Sequence, residues 1–315
     1  MPQPTPSDVH VNGPLTNISV GYVQSEATFI ADKVFPVVPV AKQSDLYFRY
    51  SKEDFFRDEA RPRAPSTESA GGGYTLDTAS YSCNVEAFHK DIDDQVRANA
   101  DSPLSMDRDA TIFVTQKLLI RRERRFMTSY FTTGVWGTDA TPSILWSAAN
   151  STPIKDVMTG QTTVQGSTGF KPNILVVGPN VHAALKTNAD IVDRIKYTSS
   201  ESVQAQIIAR LFEVDKYVVA NAVYTSTVEG NATQTTAFMA GNHALLCFAP
   251  PAPSLMTPSA GYIFGWSGFI GATNGMRMSS FRMPQLKSDR IEGEMAYDMK
   301  VVASSLGYFF ANVVS

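Results

Sequence analysis

The sequence is short of cysteine, short of charge, and has no long hydrophobic run. Two cysteines, Cys83 and Cys247, stand far apart among 315 residues, with no C-x-x-C pair. That excludes a disulfide framework and a thiolate metal site, and both read as small buried hydrophobes of a reducing compartment. No apolar stretch approaches the ~20 residues that span a bilayer. Residues 1–20 carry neither the basic nor the apolar region of a signal peptide, so a soluble protein made inside the cell, with no membrane partner, is expected. Lys and Arg number 27 against 30 Asp and Glu, a net charge of −3, so the molecule as a whole is no polyanion binder. Charged residues make up 18% of the chain, beside an apolar share of 43%. The usual charged share is ~25%. Little surface is left to face water, which points to neighbours.

The residue patterns of catalysis are missing too. There is no G-x-x-x-x-G-K-[ST] loop, and Gly71-Gly72-Gly73 follows a strand limb without opening a helix. Gly265-Trp266-Ser267-Gly268 lacks the G-x-S-x-G spacing of a nucleophile elbow. His10, His89, His182 and His243 are scattered one per element. Asp91-Ile92-Asp93-Asp94 suits helix capping and solvation better than a cation. No catalytic residue, cofactor site or metal site is expected.

What is present is a succession of extended and helical pieces. Residues 1–31 carry only Asp8 and Glu26 as charges and hold four prolines; they read as an arm without a core of its own. Together with the proline-broken apolar run Val34–Val40, suited to a sheet edge, the arm covers 1–43 and is expected to lie on other subunits. Residues 44–90 read as a hairpin, with Leu46, Phe48 and Tyr50 alternating against Tyr47, Arg49 and Ser51. Limbs of about 15 residues would project on the order of 50 Å at ~3.3 Å per residue. Such a ribbon alone in water is marginal. Its middle holds Phe55 and Phe56 amid a dense, balanced set of charges that includes Arg57, Asp58, Arg61 and Arg63. Aromatic anchors inside a polar rim are where interface energy concentrates, so these six residues are the candidate inter-subunit contacts.

Residues 91–169 open with a short acidic helix at 91–99 and continue into a long amphipathic one, Asp107 to Phe131. At 100° per residue Ile112, Phe113, Leu119, Ile120, Phe126, Met127, Tyr130 and Phe131 share a stripe. Lys117, Arg121, Arg124 and Arg125 fall opposite, exposed to solvent or to partner carboxylates, and form a candidate interior basic face for non-specific contact with nucleic acid. From 170 to 275, strands at 173–178, 217–220 and 244–248 alternate with helices at 180–187, 189–196 and 201–212, the mark of a compact α/β unit. No Asp, Glu, Lys or Arg occurs between Glu229 and Arg277, a span expected to be buried against neighbours. Strand patterns return over 276–315.

The order of these parts resembles the major capsid protein of tailed bacteriophages. The resemblance is carried by Ala31-Asp32-Lys33-Val34-Phe35-Pro36, the charged hairpin, the spine-like helix, Asp190-Ile191-Val192-Asp193-Arg194-Ile195-Lys196-Tyr197, Leu211-Phe212-Glu213-Val214 and Gly261-Tyr262-Ile263-Phe264-Gly265-Trp266. It implies the α+β capsid fold shared with encapsulins: an N-terminal arm, a long β-hairpin loop, a spine helix with a peripheral β-sheet (91–169), and an axial α/β domain (170–275), with 276–315 returning to the peripheral part. It further implies a virion subunit that forms pentamers and hexamers of an icosahedral head around double-stranded DNA, assembled in the host bacterial cytoplasm. A separate scaffolding protein, a portal and decoration proteins are the implied partners. An encapsulin-like nanocompartment shell is the alternative within the same fold.

Overall fold

The structure is a computed structural model that describes residues 23–100, 104–195, 205–253, 256–270 and 276–315. The arm up to residue 22, the last two residues of the Asp190–Tyr197 stretch and the first residues of the helix expected at 201–212 lie outside the described residues. The chain enters through a one-turn helix, α1 (Ala31–Val34), and an edge strand, β1 (Val37–Val40). β2 (Ser44–Tyr50), one-turn α2 (Lys52–Phe56) and β3 (Leu76–Ser82) form the hairpin; β4 (Asn84–Asp93) and α3 (Asp94–Ala98) lead into the long α4 (Met106–Tyr130). β5 (Thr138–Ala140), α5 (Pro153–Thr168), β6 (Ile174–Val177), α6 (Pro179–Thr187), α7 (Ala189–Ile195), α8 (Ala205–Leu211) and β7 (Lys216–Val219) follow. A small ribbon, β8 (Val223–Thr225) and β9 (Thr236–Phe238), precedes β10 (Ala244–Cys247), β11 (Gly261–Trp266) and α9 (Ser267–Ile270). The chain closes with β12 (Met276–Met283), β13 (Ser288–Val301) and β14 (Gly307–Phe310).

Two five-stranded sheets organise these pieces. The first runs β1-β11-β13-β12, with β4 on the other side of β13. The long helix α4 lies on it and comes close at Gly293 of β13, where a Cβ would lie 2.7 Å from Leu118 Cδ1 and Val114 Cγ1. The second sheet runs β5-β14-β10-β6-β7, its strands β6, β10 and β14 buried along their whole length. One core unites Phe35, Phe126, Trp136, Met295 and Phe309; a second packs Trp146, Leu185, Phe212 and Phe310 around the outer helices.

Several expectations change. Residues 29–35 are part of the subunit's own core: Phe29, Ile30, Ala31, Val34 and Phe35 are all buried, and the Phe35 ring stands 5.1 Å from Phe126 and 5.4 Å from Tyr130. Residues 29–35 therefore belong to this subunit's core and are not a coreless arm. β1 takes the expected edge position, parallel to β11 with Pro39 opposite Gly265. The acidic stretch 91–93 is strand, and only 94–98 turns helical. β4 pairs with β13 and not with β2, so the paired hairpin limbs are seven residues each, about 23 Å long at ~3.3 Å per residue. Within the uncharged span, β10 and β11 lie inside this chain's own sheets. Finally, β14 and α5 pack with the second sheet, which differs from the grouping expected for 91–169 and 276–315.

Candidate assembly surface

The hairpin presents two unlike faces. Register pairs Leu46 with Ser80, Phe48 with Thr78 and Tyr50 with Leu76 on one side, and Asp45 with Tyr81, Tyr47 with Ala79 and Arg49 with Asp77 on the other. The second side is anchored to the body. Tyr81 stacks on Phe264 at 4.7 Å, Tyr47 lies 5.3 Å from the same ring, and Ser82 N–H donates to Asp298 Oδ2 at 3.0 Å. The first side is open: Leu46 is 60% exposed and Phe48 64%. A period-2 apolar pattern is the signature of a buried strand face, yet among the described residues nothing covers this one.

At the hairpin's end the aromatics continue. Tyr50, Phe55 and Tyr74 form a ring cluster with centroids 5.8–6.1 Å apart, Phe55 and Phe56 both being exposed. Ser51 N–H donates to Thr75 O, and Thr75 N–H to Asp54 Oδ2 at 2.7 Å, which holds that carboxyl below the usual aspartate range. Arg57 pairs with Asp54 at 3.2 Å; Asp58 and Arg61 are exposed, and Arg63 donates to Thr67 O in the irregular tip. Between this tip and the second sheet's layer lies a groove of about 670 Å³, lined by Tyr50, Phe55, Phe56, Phe170, Met256 and Pro258. Lys52 Nζ reaches across it to Ser167 O at 3.3 Å. The six residues expected from sequence thus cluster at the tip, while Leu46, Phe48, Tyr74 and Leu76 extend the apolar face beyond what that reading named. The alternation of Leu46, Phe48 and Tyr50 was the signal for them.

The basic residues of α4 do not form one free stripe. Arg121 Nε donates to Glu86 Oε1 at 3.1 Å, and Arg125 Nη2 to Asp298 Oδ1 at 3.2 Å. The Arg124 guanidinium sits 4.8 Å from the Tyr224 ring and Lys117 Nζ 5.2 Å from Phe113. The apolar stripe is rotated from the expected one: Ala110, Val114, Leu118, Leu119, Phe126 and Met127 are buried, whereas Ile112 and Phe113 are exposed. The reason is a double burden, since α4 packs on the sheet and also receives the arm's root. Glu123, fully buried, accepts the backbone N–H groups of Ile30 and Ala31, each at 3.0 Å, and Arg122 Nη2 meets Asp32 Oδ2 at 3.2 Å. Burial raises the Glu123 carboxyl to about 7 against these hydrogen bonds and the Arg122 charge. Sequence reasoning placed Arg121, Arg124 and Arg125 at the surface and did not single out Arg122 or Glu123, although Leu119-Glu123-Met127 and Leu118-Arg122-Phe126 share apolar rows at i, i+4 spacing. Among the described residues no group of three or more His, Cys, Asp or Glu is placed to hold a metal, and no helix is long and apolar enough to cross a membrane.

Arm root, clamped hairpin, spine helix and two-sheet body together are the fold of phage capsids. A phage-related protein from Bordetella bronchiseptica superposes with a TM-score of 0.68 at 22% identity, over 92% of this chain and 93% of that one. The capsid subunit of cyanophage P-SCSP1u gives 0.61 at 11% over 96% and 93%, and an encapsulin from Synechococcus elongatus 0.53 at 10% over 96% and 94%. No family model matches the chain. In sequence, the major capsid protein of Burkholderia phage BcepMu is 25% identical over 218 residues, 67% of this chain and 68% of that protein. That of Pseudomonas phage JBD67 is 25% identical over 319 aligned positions, 96% of each. The chain is a relative of phage major capsid proteins and carries the α+β fold that phage capsids and encapsulins share.

Proposed function

We propose that the chain is a structural shell subunit whose hairpin laps onto a neighbouring copy, building pentamers and hexamers of an icosahedral head around double-stranded DNA. The observation that carries this is the open apolar face Leu46–Phe48–Tyr50–Leu76, continuous with Phe55, Phe56 and Tyr74. A ribbon with one anchored face and one bare face is half an interface. A hairpin lapping onto a different patch of the next copy makes a heterologous contact, and such contacts build rings where the rotation between copies closes. Charged Arg57, Asp58, Arg61 and Arg63 at the tip set register between copies more than they add affinity. The relatives named major capsid proteins support the shell role; a scaffolding protein, a portal and decoration proteins as partners, and assembly in the host bacterial cytoplasm, are part of the same proposal. Lys117 and Arg124, not engaged by carboxylates as Arg121 and Arg125 are, would carry any DNA contact, which would be sequence-independent and weakened by salt. The test is negative-stain electron microscopy of the purified protein with sedimentation: closed shells tens of nanometres across support the proposal, and a monodisperse monomer at every concentration refutes it.

An encapsulin-like compartment holding protein cargo is the second reading, favoured by the encapsulin neighbour in fold. The ratio of absorbance at 260 and 280 nm of intact particles from infected or lysogenic cells separates the two, because only packaged nucleic acid raises it.

A further inference from the structure

The root of the arm hangs on one carboxyl group. Glu123 sits near the middle of α4 with no exposed surface, and its Oε2 accepts both Ile30 N–H and Ala31 N–H at 3.0 Å. Among the described residues no donor reaches Oε1. The flanking residues on its helix face, Leu119 and Met127, are buried, and so are Phe29, Ile30 and Ala31 above it. An anionic oxygen without a partner in such a place is costly, whereas a neutral carboxyl still accepts both N–H bonds through its carbonyl oxygen.

The charges that face this group are few. On its own helix Arg122 is directed to Asp32. The arm root contributes Asp32 and Lys33, and the Lys33 ammonium donates to Ala27 O. Asp32 and Lys33 open onto a cleft of about 610 Å³ whose far wall holds Asp215 and Lys216, one charge of each sign. Of these the Arg122 charge favours the ionised carboxyl and Asp32 opposes it, and burial outweighs both.

We propose that Glu123 is a proton-operated latch: protonated, it holds the arm root Phe29–Phe35 on the spine helix, and ionised, it lets that root loosen. The carboxyl lies at about 7 when docked, against an ordinary 4.5 when the root is released to water. Docking strength is therefore fully present below the released value, declines as pH rises, and levels off once pH passes the docked value. Those two values give about a tenfold weakening of docking between pH 6 and pH 8. The latch would let one proton per subunit govern how firmly residues 1–28 are tethered at the point where they join the core.

The experiment is hydrogen exchange on the full-length, unassembled chain from pH 6 to 8, corrected for the intrinsic pH dependence of exchange, in the parent and in Glu123→Gln. Glutamine keeps an acceptor for both N–H groups and cannot ionise. Protection across 29–35 should fall about tenfold in the parent and stay level in the variant, with 244–247 in the second sheet unchanged in both. A level parent profile, or the same slope in Glu123→Gln, overturns the latch. If the variant does not fold, carboxyl ¹³C titration of the Glu-labelled parent decides: a glutamate titrating near 7 supports the latch, and all of them titrating below about 5.5 overturns it. Both measurements are made without shells, so their failure leaves the assembly proposal standing.

Discussion

Phe48 is the residue on which an interface and an ordinary surface predict different outcomes. It is 64% exposed in the subunit, in a strand whose other face is anchored. Fully burying a phenylalanine side chain is worth roughly 1.5–3 kcal/mol, so covering its open two thirds against a neighbour stabilises each contact by about 1–2 kcal/mol. At about 1.4 kcal/mol per factor of ten, Phe48→Ala should raise the subunit concentration needed for assembly by about 5- to 30-fold. The fold of the subunit should barely respond, because exposed substitutions usually stay within about ±0.5 kcal/mol. Sedimentation across a concentration series reads the first effect and thermal unfolding of the unassembled chain reads the second. Assembly at the parental concentration, or a large drop in melting temperature with assembly intact, would refute the reasoning: Phe48 would then be idle or part of an internal core.

Four further outcomes follow from the packing. Arg125→Met strips a partner from Asp298, whose side chain is 6% exposed, and should cost about 3 kcal/mol in urea unfolding, while Arg121→Ala, at an exposed pair, should cost about 0–1. Gly293→Ala pushes a methyl against Val114, Leu118 and the Met278 sulfur and should destabilise by about 1–3 kcal/mol, read by the same assay. His243 Nδ1 accepts Asn312 N–H at 3.0 Å, and burial lowers this imidazole below its ordinary 6.5; the unfolded chain therefore binds the proton first, and stability should fall as pH drops below about 6.5, with hydrogen exchange at 312 rising there. His182, also lowered by burial, adds in the same direction. Truncation to residue 22 should leave a cooperative thermal transition, whereas truncation to residue 35 removes Phe29, Ile30 and Phe35 from the core and should abolish it.

What sequence revealed and what it hid divides along physical lines. The long helix, the strands at 174–177 and 244–247 and the edge position of Val37–Val40 were legible because local periodicity and proline placement act over a few residues. The hairpin's existence was legible too, but not its length: whether residues 84–93 continue one ribbon or join another sheet depends on β13, two hundred residues away. Leu46, Phe48 and Tyr50 show the sharpest case. Their alternation declares a face to be covered, and nothing local says what covers it. Arg122 and Glu123 were hidden by their company, since five consecutive charged residues read as solvated surface until the arm's root is seen to dock there. Asp298 was likewise invisible, because the partners that justify its burial, Arg125 and Ser82, come from two distant elements.

The most direct test of the central claim is a cryo-electron microscopy reconstruction of the particles this protein forms. The account predicts a closed shell of repeated subunits in which Leu46, Phe48, Phe55 and Phe56 of each copy are buried against the next. A shell in which that hairpin face remains in solvent, or a protein that forms no particle under any assembly condition, would contradict it.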